Sequence, residues 1–550
     1  MGLELPRPTR KSLPALVGAL TLLISSCDEG AQLPPQRTDS ATTTSDQLSD
    51  ADLELARWKP QGPTNVILLL VDTLRADAVL DPKGLFDTPN LDRLGADGLV
   101  FESVFSHAPM TLPSHSSLFS SRPPLLTGVK NNWQEVPADL PLLAEWMRDH
   151  GYDTRAVISL GTLDPPPQKI ALDRGFDSYD TDYWSIGRAD ETAVRLEKAL
   201  ENRSEKPLFL FAHFADPHEP YNLHGNVEKF AELRIDGELH RNVKTSVMSQ
   251  IDEEVDLAPG EHEIAFEADH LFRIRSFDVY LADQPLEVTW VDSERLKRKK
   301  QHHLKVTVPA SDEHAPVRLR YWVNDVPMGK TKALRYAQEV NFVDQGIGRF
   351  LDTLRAQGLY DDSLIVFTSD HGESLGERGP NGGFYGHVEY LTDEEIHVPL
   401  IVKLPAGDPR GPLLERSLGR QVSHVDVTPT ILDLVGLDGL PGQTGTTLLT
   451  PHTSTHLAET HRPEAKRSQI ALRDERYKMI LDIEEGTFLM YDLEADPGET
   501  VDVFASAERE RPDWAARLLK LGSGGSAMPG EEDAARREEL QKLGYGGDDE

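Results

Sequence analysis

Three apolar runs in this chain each end on acidic or histidine residues, and those endings are where chemistry is expected. Val66-Ile67-Leu68-Leu69-Leu70-Val71 stops at Asp72, and the run from Leu208 to Phe214 leads to Asp216 and His218. Leu364-Ile365-Val366-Phe367-Thr368 reaches Ser369-Asp370-His371-Gly372-Glu373. Carboxylates and imidazoles gathered at one rim are the donor set of a metal-dependent hydrolase. A fourth segment, Pro109-Met110-Thr111-Leu112-Pro113-Ser114-His115, supplies a hydroxyl. Pro113 suits the first turn of a helix, which leaves Thr111 just ahead of an N-terminus whose free amides and dipole favour an anion. A threonine hydroxyl held there beside a cation can lose its proton and become a nucleophile. Taken alone, Thr-x-Pro-Ser is also an ordinary helix start.

The elements that must position these residues follow from pattern. Continuous apolar runs suit strands buried on both faces of a parallel sheet. The carboxyl ends of such strands open into one crevice. Helices are expected from Thr88-Pro89-Asn90 to Gly98, from about Leu140 to His150, from Ala333 to Gln357 and from Val427 to Val435, with a strand over Val398 to Leu404. Helix, glycine, strand is the rhythm of a doubly wound α/β sheet with helices on both faces. Between about 225 and 330 the rhythm breaks into period-two runs such as Phe277-Asp278-Val279-Tyr280-Leu281 and Leu304-Lys305-Val306-Thr307-Val308. These predict an inserted antiparallel β-sandwich, either a module binding glycans or partners or a structural lid. Ile470-Ala471-Leu472-Arg473 and Tyr477-Lys478-Met479-Ile480-Leu481 predict a small antiparallel sheet near the C-terminus.

The 57 basic residues are outnumbered by 92 acidic ones, giving a formal charge of −35. That balance excludes nucleic acid as a partner, because no surplus of cations exists to neutralise phosphates. Arg7, Arg10 and Lys11 precede the apolar stretch Leu13 to Ile24, which is too short to span a bilayer. It closes on Ser25-Ser26-Cys27, and Cys27 is the only cysteine. This resembles a bacterial lipoprotein signal, which implies export and a lipid on Cys27 at the periplasmic or outer face of the cell envelope; an ordinary secretory signal is the alternative. The expected organisation is a signal segment over 1–27, a flexible polar tether over 28–60, a catalytic domain over 61–224 and 331–450, the β insertion over 225–330, a C-terminal subdomain over 451–521 and a flexible acidic tail over 522–550.

The motifs also occur in a telling order. Val71-Asp72-Thr73-Leu74-Arg75-Ala76-Asp77, Thr88-Pro89-Asn90-Leu91-Asp92-Arg93-Leu94, Thr111-Leu112-Pro113-Ser114-His115 and Leu126-Thr127-Gly128 come first. Asp216-Pro217-His218-Glu219-Pro220-Tyr221, Ser369-Asp370-His371-Gly372-Glu373, Gly386-His387 and His397-Val398-Pro399-Leu400-Ile401 follow, and Tyr491-Asp492-Leu493 comes last. The series resembles the sulfatase family of the alkaline phosphatase superfamily, over about 64–221 and 332–504. The resemblance implies that fold, ester hydrolysis, and a metal held by Asp72, Asp370 and His371 with Thr111 at the nucleophile position. It also implies that Asp216, His218 and His387 serve either a second metal or cationic contacts to the ester.

Two departures from the sulfatase pattern bear on substrate. Sulfatases carry Cys or Ser where Thr111 stands, oxidise it to formylglycine, and have Arg at the position of His115. Threonine is not a substrate for that oxidation. The third strand supplies Asp-His in place of Asp-Asn, and replacing an oxygen ligand by imidazole favours Zn²⁺ or Mn²⁺ over Ca²⁺. Thr with Asp-His is similar to the superfamily's phosphodiesterases, phosphatases and phospho-group transferases. The expected reaction is therefore attack of a metal-activated Thr111 alkoxide on a small-molecule, lipid or glycan ester. One or two divalent ions are expected, with His218 or His387 protonating the leaving oxygen. Phosphate esters are the first expectation and sulfate esters the alternative. A non-catalytic lipoprotein binding glycans or partners is a third reading, and retention of four converging ligands argues against it.

Overall fold

In the computed structural model, residues 48–80, 86–163, 170–181, 186–219, 221, 230–244, 249–281, 284–291, 299–310, 316–324, 330–379, 383–452, 455–462 and 467–522 are described. The expected signal segment with Cys27, most of the expected tether and the expected tail lie outside them.

The strand Asn65–Val71 shows how the layers arise. Val66, Leu68 and Leu70 enter one buried cluster together with Leu112 and Phe119 of the helix Thr111–Ser120 and Met147 of Leu143–Asp149. Ile67, Leu69 and Val71 enter the opposite cluster, against Leu91 of Pro89–Asp97, Leu196 of Ala189–Glu201 and Val343 of Lys330–Ala356. A strand apolar on both faces must be covered on both, and burying each such side chain contributes about 1.5–3 kcal/mol.

The central sheet runs in the order Gln421–Ser423, Leu99–Phe105, His397–Lys403, Ser363–Ser369, Asn65–Val71, Leu208–Phe214, Asp153–Val157, Ser178–Asp180. Every neighbouring pair is parallel except those made by His397–Lys403, which runs against both its neighbours. The carboxyl ends of the Asn65, Leu208, Ser363 and Leu99 strands therefore share one rim, and His397–Lys403 starts there. Parallel register sets Val71 opposite both Ser369 and Phe214, so Asp72 and Asp370 leave the sheet side by side.

Helix ends depart from expectation in instructive ways. Thr88 does not cap the helix Pro89–Asp97; its hydroxyl donates to the Ala78 carbonyl. Asp344, from the long helix, accepts from the amides of Asn90 (3.2 Å) and Leu91 (2.9 Å) instead. Thr111 is the first residue of its helix rather than the residue ahead of it, with extended Met110 as the cap. Pro113 fits two positions further in because the first four amides of a helix have no intrahelical acceptor. The expected tether also ends earlier than 60: Ser49 closes a capping box on the helix Asp50–Ala56, and Asp52 pairs with Arg416 at 2.8 Å.

The insertion is antiparallel throughout its described strands and has its own core. The 22-residue strand Gly260–Leu281 pairs through one half with Lys299–Val308 and Phe230–Ile235, and through the other with Val317–Asn324. Both junctions of the insertion are fastened to the catalytic rim. Tyr221 donates its hydroxyl to Glu373, and Lys332 pairs with Glu219 at 2.6 Å. The C-terminal sheet comprises four antiparallel strands from His456–Arg462 to Thr487–Asp492. Its fully buried Lys478 reaches across to the rim, pairing with Asp393 at 2.5 Å and Glu499 at 2.6 Å. Among the described residues no helix is long and apolar enough to cross a membrane.

Candidate active site

Strand ends and one tight turn bring the first carboxylates together. Thr73, directly after Asp72, adopts φ +59°, a left-handed conformation that a β-branched residue rarely accepts. The turn is fixed by Thr73 itself, whose amide donates to Asp370 Oδ1 (3.1 Å) and whose carbonyl accepts the Tyr336 hydroxyl (2.7 Å). Asp370 Oδ1 also accepts from the His371 amide at 2.9 Å. Gly372 is required by close approach, since a Cβ there would stand 2.1 Å from the Glu394 carbonyl oxygen.

Ligand atoms of Asp72, Asp370 and His371 lie within 4.8 Å of one another, and all three residues are fully buried. Both Asp72 oxygens, Asp370 Oδ2 and His371 Nε2 have no hydrogen-bond partner among the described residues. Buried polar atoms are almost always paired, and orphans gathered in one group from two carboxylates and an imidazole fit a cation site. His371 Nδ1 sits 3.0 Å from the Gly372 carbonyl and so carries the proton, which leaves Nε2 free to ligate. Burial, then the charge of His387, pushes His371 down to about 3, the neutral form a ligand needs. Two carboxylates and an imidazole fit a divalent ion of the Zn²⁺ or Mn²⁺ kind.

Thr111 Oγ1 is buried and likewise unpartnered. Its ten-residue helix is buried along its whole length. Ser114, one turn on, donates to the Asp370 carbonyl at 2.6 Å, which ties that helix to the Ser363 strand. Leu112 donates its amide to Asn132 Oδ1 at 2.9 Å, tying the helix start to the loop that follows Gly128.

His387 lies above this group. Its Nδ1 pairs with Glu373 Oε2 at 2.8 Å, and its ring stands 4.6 Å from that of His371 and 5.1 Å from that of His218. Burial opposes charge on His387, but the carboxylate of Glu373, with Asp72 beyond, outweighs it and raises the pKa above the ordinary histidine value. His218 Nδ1 bonds the Glu219 carbonyl at 2.7 Å.

The expected second metal site does not assemble among the described residues. Asp216 Oδ1 accepts from the Ala189 amide at 2.9 Å, at the start of the helix Ala189–Glu201. Burial and the neighbouring Glu339 push its pKa well up. One oxygen of that carboxylate is used to satisfy a helix end, and the acidic partner that His387 does have is Glu373, at 2.8 Å.

One histidine escaped the sequence reading, and a second, His115, entered it only as the residue at the position of the sulfatase Arg. His213, fully buried, sets Nε2 3.7 Å from Asp72 Oδ2. His115 sets Nδ1 2.8 Å from the Thr111 carbonyl and 3.5 Å from Asp370 Oδ2, and burial pushes it down to about 3. The signal for His213 was present: an ionisable residue inside an otherwise apolar strand is costly without a use.

A family model described as sulfatase matches residues 64–437, more than half of the chain and all of the rim. The chain belongs to the sulfatase family. Within the family it is similar to the choline-sulfatase of Rhizobium meliloti, 23% identical over 494 residues that cover 80% of this chain and 82% of that relative. It is also similar to an N-acetylglucosamine-6-O-sulfatase of Bacteroides thetaiotaomicron, 25% identical over 81% of this chain and 83% of that protein. Among solved structures, the phosphonate monoester hydrolase of Agrobacterium radiobacter superposes with a TM-score of 0.54 at 20% identity, covering 84% of this chain and 95% of that one. The sulfatase fold and ester hydrolysis expected from the sequence are thereby established.

Proposed function

We propose that this sulfatase-family enzyme hydrolyses sulfuric esters through direct attack by Thr111. The observation that carries the reading is the convergence of orphaned buried atoms from Asp72, Asp370 and His371 beside an orphaned Thr111 hydroxyl. The sulfate preference rests on the sulfatase activities of the sequence relatives. When bound, a divalent ion supplies positive charge that stabilises an alkoxide and polarises the ester. The protein's own groups then do the rest. Thr111 Oγ1 gives up its proton to solvent and bonds to sulfur while the bond from sulfur to the leaving oxygen breaks. The helix N-terminus at Thr111 and the imidazoles of His218 and His387 balance the anionic group. His387, whose pKa Glu373 raises, gives its Nε2 proton to the leaving oxygen. Water then attacks sulfur as the bond from sulfur to Thr111 Oγ1 breaks; one water proton restores the Thr111 hydroxyl, the other recharges His387, and sulfate leaves.

A second reading, phosphoric or phosphonic ester hydrolysis, is favoured by two residues: Thr111, which cannot become formylglycine, and His371 in the metal group. Protein loaded with Zn²⁺ or Mn²⁺ should cleave nitrophenyl sulfate faster than nitrophenyl phosphodiester or phenylphosphonate. The reverse order installs the second reading, and no turnover of any of them defeats both. Thr111→Ala should lower kcat/KM by at least about a thousandfold, with Thr111→Ser retaining part of it. We also assign the chain to the bacterial cell envelope through a lipid on Cys27; Cys27→Ala should then move it from the membrane to the soluble fraction, and unchanged membrane retention refutes the assignment.

A further inference from the structure

The imidazole of His387 sits on a backbone that is costly to hold. Gly386 before it adopts φ +133° and Val388 after it φ +83°. Glycine accepts such a conformation freely, but a β-branched residue there costs about 1–3 kcal/mol and persists only where its surroundings enforce it. The enforcement comes from the C-terminal sheet. Thr460, buried on the strand His456–Arg462, donates its hydroxyl to the Val388 carbonyl at 2.6 Å. Glu389, the next residue, accepts Arg462 at 2.9 Å on one oxygen and Arg467 at 3.0 Å on the other. Antiparallel register sets Arg462 directly opposite Arg467, so two strands deliver both guanidiniums to one carboxylate.

The same strand is stapled to the segment that leads into the nucleophile helix. The Glu459 amide donates to the His107 carbonyl at 2.9 Å, His107 Nδ1 donates to the Leu457 carbonyl at 2.6 Å, and His456 Nε2 bonds the Ser106 carbonyl at 3.0 Å. That segment ends at Thr111, the first residue of its helix. One strand therefore grips the chain just before Thr111 and the chain just after His387, and the hydrolysis steps above give it no part. We infer that the strand His456–Arg462 is the spacer that fixes the His387 imidazole relative to the Thr111 hydroxyl, with Thr460 and Glu389 as positioning residues for proton delivery to the leaving oxygen. Glu373 grips the ring itself through Nδ1 at 2.8 Å, whereas Thr460 and Glu389 hold the backbone that carries the ring. A reacting group misplaced by about 1 Å can lose about a hundredfold in rate.

The inference rests on the ester-hydrolase reading with His387 as the acid, and its test separates the two. Metal-loaded wild type, Thr460→Val and Thr460→Ser are assayed on the phenyl and nitrophenyl esters of the acid that the enzyme cleaves. Phenolate leaves poorly and needs the proton, whereas nitrophenolate leaves with little help. Thr460→Val should lower kcat/KM on the phenyl ester by at least about tenfold and on the nitrophenyl ester by no more than about twofold, with Thr460→Ser restoring most of the loss. Glu389→Ala, at a half-buried position, should show the same selectivity, and it carries the test if Thr460→Val does not fold. Equal losses on the two esters, or none, overturn the inference. Amide hydrogen exchange read by mass spectrometry reports on the loop without turnover: Thr460→Val should speed exchange over residues 385–391 and leave the strands of the central sheet as in wild type. If wild type turns over neither ester, the hydrolase reading fails, and faster exchange confined to that loop keeps the strand as its clamp. Exchange that is unchanged there, or faster throughout, defeats the clamp as well.

Discussion

Asp370 offers the sharpest quantitative test of the metal group. In the metal-free protein, burial and the neighbouring Asp72 charge hold Asp370 well above the usual carboxylate range. Asp72, though buried, is held well below the usual carboxylate range by the imidazoles of His213 and His218. Below the folded pKa of Asp370, binding of a divalent cation must then expel about one proton from it. The apparent Kd for Zn²⁺ or Mn²⁺ should fall about tenfold per pH unit until the folded pKa of Asp370 is reached. Titration calorimetry in two buffers of different ionisation enthalpy counts that proton directly. The same proton governs the chelated protein's stability. A folded pKa raised above the unfolded value of about 3.9 means that the folded state holds the extra proton in the window between them. Stability is therefore fully present below that value and is lost by about 1.4 kcal/mol per pH unit as pH rises toward the folded pKa. Asp370→Asn keeps the acceptor for the Thr73 and His371 amides at 3.1 and 2.9 Å and needs no proton. Urea unfolding of the chelated proteins at a series of pH values should show that loss in wild type and not in Asp370→Asn, which should also bind metal weakly. A proton count near zero, or stability curves that run parallel, refutes the reasoning.

Glu373→Gln should shift the alkaline limb of the pH–rate profile toward lower pH, because the carboxylate beside His387 Nδ1 raises its pKa and an amide cannot; an unmoved limb in the variant removes His387 as the acid. Lys478→Met should destabilise the folded chain by about 3–5 kcal/mol, since it removes the fully buried cation that Asp393 and Glu499 share and leaves them only Arg473 at 3.3 Å and Arg378 at 3.6 Å, and a calorimetric transition unchanged from wild type counts against that ion group. Gly372→Ala should abolish folding or metal uptake, because the added methyl carbon would stand 2.1 Å from the Glu394 carbonyl oxygen; metal analysis of the soluble fraction reads it.

Much of the site was legible because each of its metal-group residues sits at a point where pattern changes. Asp72 and Asp370-His371 end apolar strands, and strand direction alone sends such residues to one rim. Thr111 was found through the proline two residues on, although its place inside the first turn was set by Met110, which carries no capping side chain and no signal. Asp216 misled because its motif says only that a carboxylate follows a strand. Whether it turns toward the crevice or toward the Ala189 helix depends on a helix end 27 residues earlier. The same limit hid Asp344, which caps Pro89–Asp97 from 254 residues away. Long-range partners of this kind leave no period in the sequence. His213 was missed for the opposite reason: its place inside an apolar strand was a signal in the sequence, but its partner, Asp72 at 3.7 Å, shows only in the fold.

The way the insertion is mounted has a consequence for how such an enzyme changes. Its two roots, at Tyr221 and Lys332, are each fastened to the chemistry, so the excursion between them begins and ends on fixed points. For a flexible chain closed between fixed points, the entropy of closure grows only with the logarithm of length, about 0.6 kcal/mol for each doubling. A core anchored in this manner can exchange a hundred-residue attachment for a short hairpin, or for something larger, without retuning the cation or the nucleophile. Diversity of what is presented outward is thus thermodynamically inexpensive, whereas the roots themselves are not negotiable.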